Sequence, residues 1–166
     1  SVNISAKQLD DTKLIEIVRS VIEENKPAPG SLILEITESS IIRGTDSALS
    51  TLTQLKSLGV KIYLDDFGMG YSSLNILHKF PIDNIKLDRL FVARMSEDQK
   101  DIEIVRAIVE LGIQLDKVVV AEGIESYSQQ QLLKELKCKF GQGFYFSEPV
   151  KSYKINRMLS SAMSFS

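Results

Sequence analysis

Tryptophan is absent from these 166 residues, and cysteine and histidine occur once each, as Cys138 and His78. A single cysteine excludes an internal disulfide framework and fits a reducing compartment, so the cytoplasm is the expected location. With one histidine and one cysteine, the chain also lacks the nitrogen and sulfur ligands that zinc favours. His78, in a helix-to-loop stretch, reads as a surface histidine. Cys138, between an amphipathic helix and a strand, reads as a buried structural thiol rather than a nucleophile. Long apolar runs are missing too. The stretch Val118 to Ala121 is typical, far short of the roughly 20 residues that cross a bilayer. The N-terminus has no charged segment leading into an apolar one, so neither an export signal nor a membrane segment is expected. Nor is there an excess of basic charge. Twenty Lys and Arg against 22 Asp and Glu give a net charge of −2 and a pI near 5.5, which predicts no DNA or RNA partner. A small anionic ligand would need local help, such as a metal.

What is present is an ordinary globular composition, 43% hydrophobic and 25% charged, sufficient for one domain with a real core. Short apolar runs alternate with segments of helical period. Strands are predicted near Val2 to Ser5, Leu32 to Thr37, Val60 to Asp65, Asn84 to Asp88, Val118 to Glu122 and Gly143 to Phe146. Several lack the alternation of a half-wet strand. Continuous apolar character, as in Val118-Val119-Val120-Ala121, is what a parallel strand covered on both faces requires. Helical stripes fall at Leu14, Val18, Val21 and Ile22; at Leu49, Leu52, Leu55 and Leu58, with Gly59 as a stop; at Ile102, Val105, Ile108 and Val109; and at Leu132, Leu133 and Leu136. Pro27-Ala28-Pro29-Gly30 is the one clear turn between the first helix and the next strand. This β-α alternation allows an open doubly wound sheet or an α/β barrel. The glycine-rich phosphate fingerprints of the open sheets are absent. Six strands and 166 residues fall short of the eight strands and roughly 200 to 250 residues of a closed barrel.

The strand ends form an unusual series: Asn3, Glu35, Asp65 with Asp66, Lys86 with Asp88, Glu122 with Glu125, and Gln142. Active sites of parallel barrels lie at these ends. Neighbouring strand residues face opposite ways, so Asp65 and Asp66 converge only if the strand ends between them, with Gly68 and Gly70 permitting the turn. Two carboxylates brought together repel unless a cation lies between them. Oxygen donors alone suit Mg²⁺ or Mn²⁺. Taken singly, each residue has a plainer reading: an Asp capping a helix beside a solvated one, Lys86 snorkelling to a rim, Glu125 capping the helix after it. The density of such strand ends argues for a site.

The segments Val2-Asn3-Ile4-Ser5, Glu35-Ile36-Thr37-Glu38, Asp65-Asp66-Phe67-Gly68, Lys86-Leu87-Asp88, Ala121-Glu122-Gly123-Ile124-Glu125 and Gln142-Gly143-Phe144 occur in this order. Together they closely resemble the EAL-domain family of bacterial cyclic di-GMP phosphodiesterases. The resemblance implies a TIM-like barrel that binds two Mg²⁺ or Mn²⁺ ions and hydrolyses cyclic di-GMP to the linear dinucleotide in second-messenger signalling. By motif position it implies that Asn3, Glu35, Asp65 and Asp66 are metal ligands, with Glu122 a further carboxylate of the metal site. It implies that Lys86 steers the attacking water, that Gln142 is an active-site glutamine, that Glu38 holds the loop after Asp66, and that Glu125 is a supporting carboxylate. By analogy with the family it also implies a homodimer and an attached regulatory or GGDEF-type domain. The Glu-Ala-Leu strand that names the family, and the strand before it, have no counterpart here. The expectation is therefore residues 1–166 as an N-terminally truncated barrel with about six of eight strands. Met69 stands where the family usually has threonine, and Lys137 where a glycine is common.

Two other readings compete. A non-catalytic cyclic di-GMP receptor or protein-interaction module would keep the barrel but bind without cleaving. Another metal-dependent barrel, such as an enolase-like enzyme, would use Lys86 as a base, but leaves the contiguous motifs unexplained. For residues 1–166 alone, the missing ligand strand predicts weak or no turnover of cyclic di-GMP. An assay of the isolated chain beside a complete barrel checks this, and equal rates would contradict it.

Overall fold

A computed structural model describes residues 1–43, 45–68, 73–95, 98–155 and 158. Among the described residues there are six strands: β1 (Val2–Ile4), β2 (Ile33–Thr37), β3 (Lys61–Phe67), β4 (Asn84–Leu87), β5 (Val118–Ala121) and β6 (Phe140–Gly141). They form one sheet in chain order, and every neighbouring pair is parallel. A doubly wound sheet would reverse its strand order at a switch point, so consecutive order with helical crossovers is the barrel-type arrangement. The crossovers are α1 (Ala6–Leu9) and α2 (Lys13–Asn25), then α3 (Glu38–Arg43) and α4 (Thr45–Ser57), then α5 (Ser73–Lys79). After β4 come α6 (Arg89–Arg94) and α7 (Gln99–Gln114), and α8 (Tyr127–Glu135) joins β5 to β6. Among the described residues no helix is long and apolar enough to cross a membrane.

Strand side chains alternate between faces, and here the two faces differ in kind. Ile4, Leu34, Ile36, Ile62, Leu64, Ile85, Leu87, Val119 and Ala121 are at most 6% exposed. They share a core with Leu9, Leu52, Leu55, Val92, Val105, Val109 and Leu133 from the helices. Each such Leu or Ile contributes about 1.5–3 kcal/mol by leaving water. The intervening positions on β2, β3 and β4 are Glu35, Tyr63, Asp65, Asn84 and Lys86. These strands therefore alternate, whereas β5, Val118-Val119-Val120-Ala121, keeps the continuous apolar character expected of it. The reason is that only the helix-covered face is dry packing, while the other is a polar interior.

The helical stripes face this core as expected. Leu52 and Leu55 are fully buried, as is Val105, while Val21 is half-exposed at the edge of its stripe. Gly59, at φ 85°, ends α4. One strand is displaced from its expected place. The sixth pairs at Phe140–Gly141, not Gly143–Phe146, because the Ile124 N–H is taken by the Gln142 carbonyl and the chain then turns, with the Phe146 N–H on the Gly143 carbonyl. At Gly143 a Cβ would come within 2.2 Å of the Ile124 backbone nitrogen, so only glycine fits that crossing.

Lys137 explains its own departure from glycine. The Cys138 N–H bonds the Leu133 carbonyl and the Lys137 N–H that of Lys134, a Schellman turn ending α8, with Lys137 in the left-handed region at φ 64°. Lysine tolerates this conformation at a cost that glycine avoids. Lys137→Gly is expected to stabilise the chain by about 1 kcal/mol in chemical denaturation, an upper figure because glycine also loosens the unfolded chain.

Candidate active site

Lys86 organises the polar interior. Only 5% exposed on central strand β4, its Nζ donates to Glu35 Oε2 at 2.8 Å, and lies 3.1 Å from Asp65 Oδ1 and 2.6 Å from Glu122 Oε1. Those partners come from three strands: Glu35 from within β2, Asp65 from β3, and Glu122 just beyond β5, where its N–H extends the ladder to the Leu87 carbonyl. Burial alone would lower the Lys86 pKa, but its hydrogen bonds to Glu122 and Glu35 and the Asp65 charge hold it well above the ordinary lysine value. That is the wrong direction for a base acting near neutrality, and it weakens the enolase-like reading.

The carboxylates divide according to how well the ammonium serves them. Burial pushes Glu35 up, yet hydrogen bonds from Lys86 and Ser1, with the charges of Lys86 and the N-terminal ammonium, prevail and hold it below the usual range. Glu122 ends above its usual range, because its burial, with Asp65 and Glu35 nearby, outweighs Lys86. Asp66 is also raised, by burial and then by the charges of Asp65 and Asp88.

Asp65 and Asp66 reach the same neighbourhood by a route the sequence did not suggest. The strand does not end between them. β3 continues to Phe67, and its pairing with β4 slips from Leu64↔Ile85 to Phe67↔Leu87, so three steps on β3 match two on β4. This is a β-bulge, a device that re-aims side chains near active sites. The extra residue lies at Asp66, whose φ of 55° is left-handed, a conformation Asp tolerates better than most residues. Phe67 thereby returns to the apolar core at 3% exposure instead of facing the carboxylates. Asp65 Oδ1 accepts the Asp66 N–H at 3.1 Å, tightening the bulge. Gly68 follows at φ 94°, where a Cβ would meet the Phe91 ring at 2.9 Å.

Gln142 joins the cluster by donating Nε2 to Glu122 Oε1 at 2.9 Å, while its backbone N–H bonds the Ala121 carbonyl. Asn3 is paired in register with Glu35 but exposed. Glu38, 3% exposed, begins α3 directly after β2. Residues 69–72, including Met69 and Gly70, lie outside the described residues, so the contact expected between Glu38 and that loop does as well. Glu125 is exposed and is not the cap of α8. Ser126 caps that helix in a capping box with Gln129, whose Oε1 also accepts the Glu125 N–H at 2.8 Å. His78 is exposed on α5, and Cys138 is buried with its thiol directed at the Val119 and Phe140 carbonyls, both as expected. A cavity of about 380 Å³ opens beside the cluster, bordered by Arg89, Glu122, Glu125, Gln142, Phe144 and Glu148. Sequence reading passed over Tyr63, Asn84 and Arg89. Strict period-two reading of β3 and β4 would have placed the first two in the interior, whereas Arg89, after the helix cap Asp88, gave no signal.

The donor set suits a hard divalent cation. Three carboxylates against one ammonium leave two formal negative charges before Asp66 is counted. All the ligating candidates offer oxygen. Among the described residues, no three acidic, histidine or cysteine side chains form a metal-holding group by themselves, and the point on which Glu35, Asp65 and Glu122 converge is the Lys86 ammonium.

The EAL domain family model matches residues 1–149. The chain is 41% identical over 155 residues to the bifunctional diguanylate cyclase/cyclic di-GMP phosphodiesterase MucR of Pseudomonas aeruginosa, covering 93% of this chain and 23% of that protein. It is 39% identical over 157 residues to the cyclic di-GMP phosphodiesterase PdeR of Escherichia coli, covering 95% and 24%. The chain thus spans about a quarter of the length of these curated relatives. The crystal structure of the EAL domain of Mycobacterium smegmatis DcpA superposes with a TM-score of 0.90 at 36% identity, over 96% of this chain and 71% of that one. A cyclic di-GMP complex of the MucR phosphodiesterase gives 0.86 at 41% identity, over 92% and 62%. EAL domain structures are TIM-like barrels, and the fold described above matches them.

Replacing Lys86 by Met should expose how much the cluster depends on its ammonium. Removing one partner of a buried pair costs about 3–5 kcal/mol. For the native protein, the lowered Glu35 pKa gives stability that is present above the unfolded carboxylate value and lost as pH falls through the folded one. In K86M the carboxylates lose their counter-charge, so acidification from pH 7 to 5 should narrow the stability gap between the variant and the native chain. Urea midpoints at both pH values check this. Equal losses at both would contradict it.

Proposed function

The chain belongs to the EAL domain family, and on that premise we propose that it carries the phosphodiesterase site of a cyclic di-GMP hydrolase. The observation that carries this reading is the convergence of Glu35 from β2, Asp65 from β3 and Glu122 just beyond β5 on the buried Lys86 ammonium. EAL phosphodiesterases are metal-dependent as a class. In our reading the ions are two Mg²⁺ or Mn²⁺, held by Asn3, Glu35, Asp65 and Asp66, with Glu122 as a further carboxylate. When bound, such ions supply Lewis acidity that acidifies a water and offsets phosphate charge.

The chain's own groups do the rest. Lys86 stays protonated, so its Nζ acts as a donor: it fixes the carboxylate oxygens and orients water by donating to its oxygen. Gln142 holds Glu122 in place by donating its amide N–H to the carboxylate. Hydrolysis forms one bond from water oxygen to phosphorus and breaks one P–O ester bond, and the leaving oxygen takes a proton, giving linear pGpG. The cavity beside Glu122 and Gln142, with Arg89 on its wall, offers room and a positive charge for the rest of the dinucleotide. Glu38 and Glu125 keep supporting roles, Glu38 buried at the start of α3 and Glu125 on the cavity wall.

We further propose that residues 1–166 supply six strands of an eight-stranded barrel, attached in the full-length protein to a regulatory or GGDEF-type domain and acting in the cytoplasm as a homodimer. The partial coverage of the DcpA barrel supports the first point, as does a groove of about 260 Å³ between β1 and α2 that leaves Val2 and Ile17 more than half exposed. The multidomain relative MucR supports the second.

The test is hydrolysis of cyclic di-GMP by the full-length protein, followed as pGpG release. Chelation should abolish it and added Mg²⁺ or Mn²⁺ restore it. Asp65→Asn should lower kcat about 100-fold or more, the scale of losing a group that organises transition-state charge. Binding of cyclic di-GMP without cleavage under either metal would overturn the reading in favour of a receptor.

A further inference from the structure

The turn that follows β5 begins with Glu122, and a second route of contacts ties it back to Lys86. Glu122 Oε1 lies 2.6 Å from Lys86 Nζ, and the Glu122 N–H bonds the Leu87 carbonyl. Leu87 leads through the cap residue Asp88 straight into α6, so Lys86 and that helix belong to one continuous segment. The turn meets α6 at two points. At the helix start, a Cβ on Gly123 would fall 2.5 Å from Arg89 Cβ, and a φ of 67° favours glycine there in any case. In the last turn of the helix, where helices leave acceptors over, the Val92 carbonyl takes a hydrogen bond from Gln129 Nε2 at 3.4 Å. Oε1 of the same amide accepts the Glu125 N–H at 2.8 Å and the Ser126 N–H at 3.1 Å, and these two backbone donors fix which end of the amide is oxygen. Gln129 therefore does more than close the capping box of α8: its oxygen faces the turn and its nitrogen faces α6. On the turn's other side, Ile124 donates its N–H to the Gln142 carbonyl and accepts the Tyr145 N–H.

We infer that Gln129 is a positioning residue for Glu122. Its amide spans the turn and α6 and closes a circuit of contacts. The circuit runs from Lys86 through Leu87 and α6 to the Val92 carbonyl, across Gln129 to the Glu125 N–H, and back along the chain to Glu122, whose carboxylate meets the Lys86 ammonium. With the circuit closed, the turn cannot drift from α6 without breaking the amide bridge, and the Glu122–Lys86 contact is held by the elements at both of its ends. Gln129 is not among the residues bordering the cavity beside Glu122, and it acts through that carboxylate.

The kinetic part of the test rests on the phosphodiesterase reading; the exchange part does not. Gln129→Glu keeps an oxygen for the Glu125 and Ser126 N–H groups, as a capping box allows, and removes only the donor to Val92. Gln129→Met removes donor and acceptor together and adds no charge. Ser126→Ala breaks the cap of α8 but leaves the amide in place. In the full-length protein, hydrogen–deuterium exchange of the Ile124 amide is read by mass spectrometry on peptides spanning the turn. It should quicken about three- to tenfold in Q129E and Q129M, the scale of one ordinary hydrogen bond. With cyclic di-GMP and Mg²⁺, kcat should fall by a similar factor in both variants while KM is unchanged. S126A should lower the urea midpoint yet leave kcat at the native value, which separates positioning from helix stability. Should exchange respond as expected while neither variant nor native protein cleaves cyclic di-GMP, the phosphodiesterase reading fails and the bridge between turn and helix stands. Unchanged exchange in folded Q129E and Q129M overturns the inference, as does quickened exchange with native kcat. So does a kcat loss in S126A equal to that in Q129E, or a loss confined to Q129E, which would trace to its added charge.

Discussion

A single buried ammonium sets the terms for the interior of this barrel. Three carboxylates brought within about 3 Å of one another's partner atom would repel strongly in a region of low dielectric. Lys86 makes the arrangement tolerable by standing among them. Glu35 is well served and sits low, whereas Glu122 and Asp66 are under-compensated and sit high. A site left with residual negative charge and hard oxygen donors is one that a divalent cation completes. The same residual charge therefore suits the cluster to its proposed work.

The rest of the fold serves that constraint. Because the crossover helices cover one face of a parallel sheet, the apolar residues of β2 to β4 all lie on that face, and the opposite face can afford a continuous polar row. The bulge in β3 is the local solution to a parity problem. Two adjacent aspartates on a regular strand would send one into the helix-packed core; one extra residue, with Asp66 in a left-handed conformation, keeps both near Lys86 and returns Phe67 to the core. Further along, the close crossing at Gly143 turns the chain so that the Gln142 amide meets Glu122.

Much of this was legible in the sequence, and the limits are instructive. The helical stripes at Leu52, Leu55 and Val105 have a strong period and were read correctly. The strand-end series Glu35, Asp65, Lys86 and Glu122 was visible because barrels place chemistry there, and the structure does bring these four together. The bulge was not legible. An Asp-Asp pair followed by Phe and Gly looks like a strand ending in a turn, and only register with β4 distinguishes the two. The sixth strand was misplaced because Phe144-Tyr145-Phe146 has strand propensity, whereas pairing was decided by the backbone approach of Ile124 to Gly143. The plainer alternative for Glu125, a helix cap, rests on its place before the α8 stripe; the capping box of Ser126 and Gln129, one residue later, takes that role.

The claim on which everything else rests is that Lys86 acts as a fixed, charged donor rather than as a base or a spectator. Turnover of cyclic di-GMP by the full-length protein carrying Lys86→Ala, at saturating Mg²⁺ and beside a measurement of cyclic di-GMP binding under Ca²⁺, tests it most directly. The account predicts a kcat loss of about 100-fold or more, as for removal of a preorganised charged donor, with binding retained. Turnover within a few-fold of the native rate would contradict it.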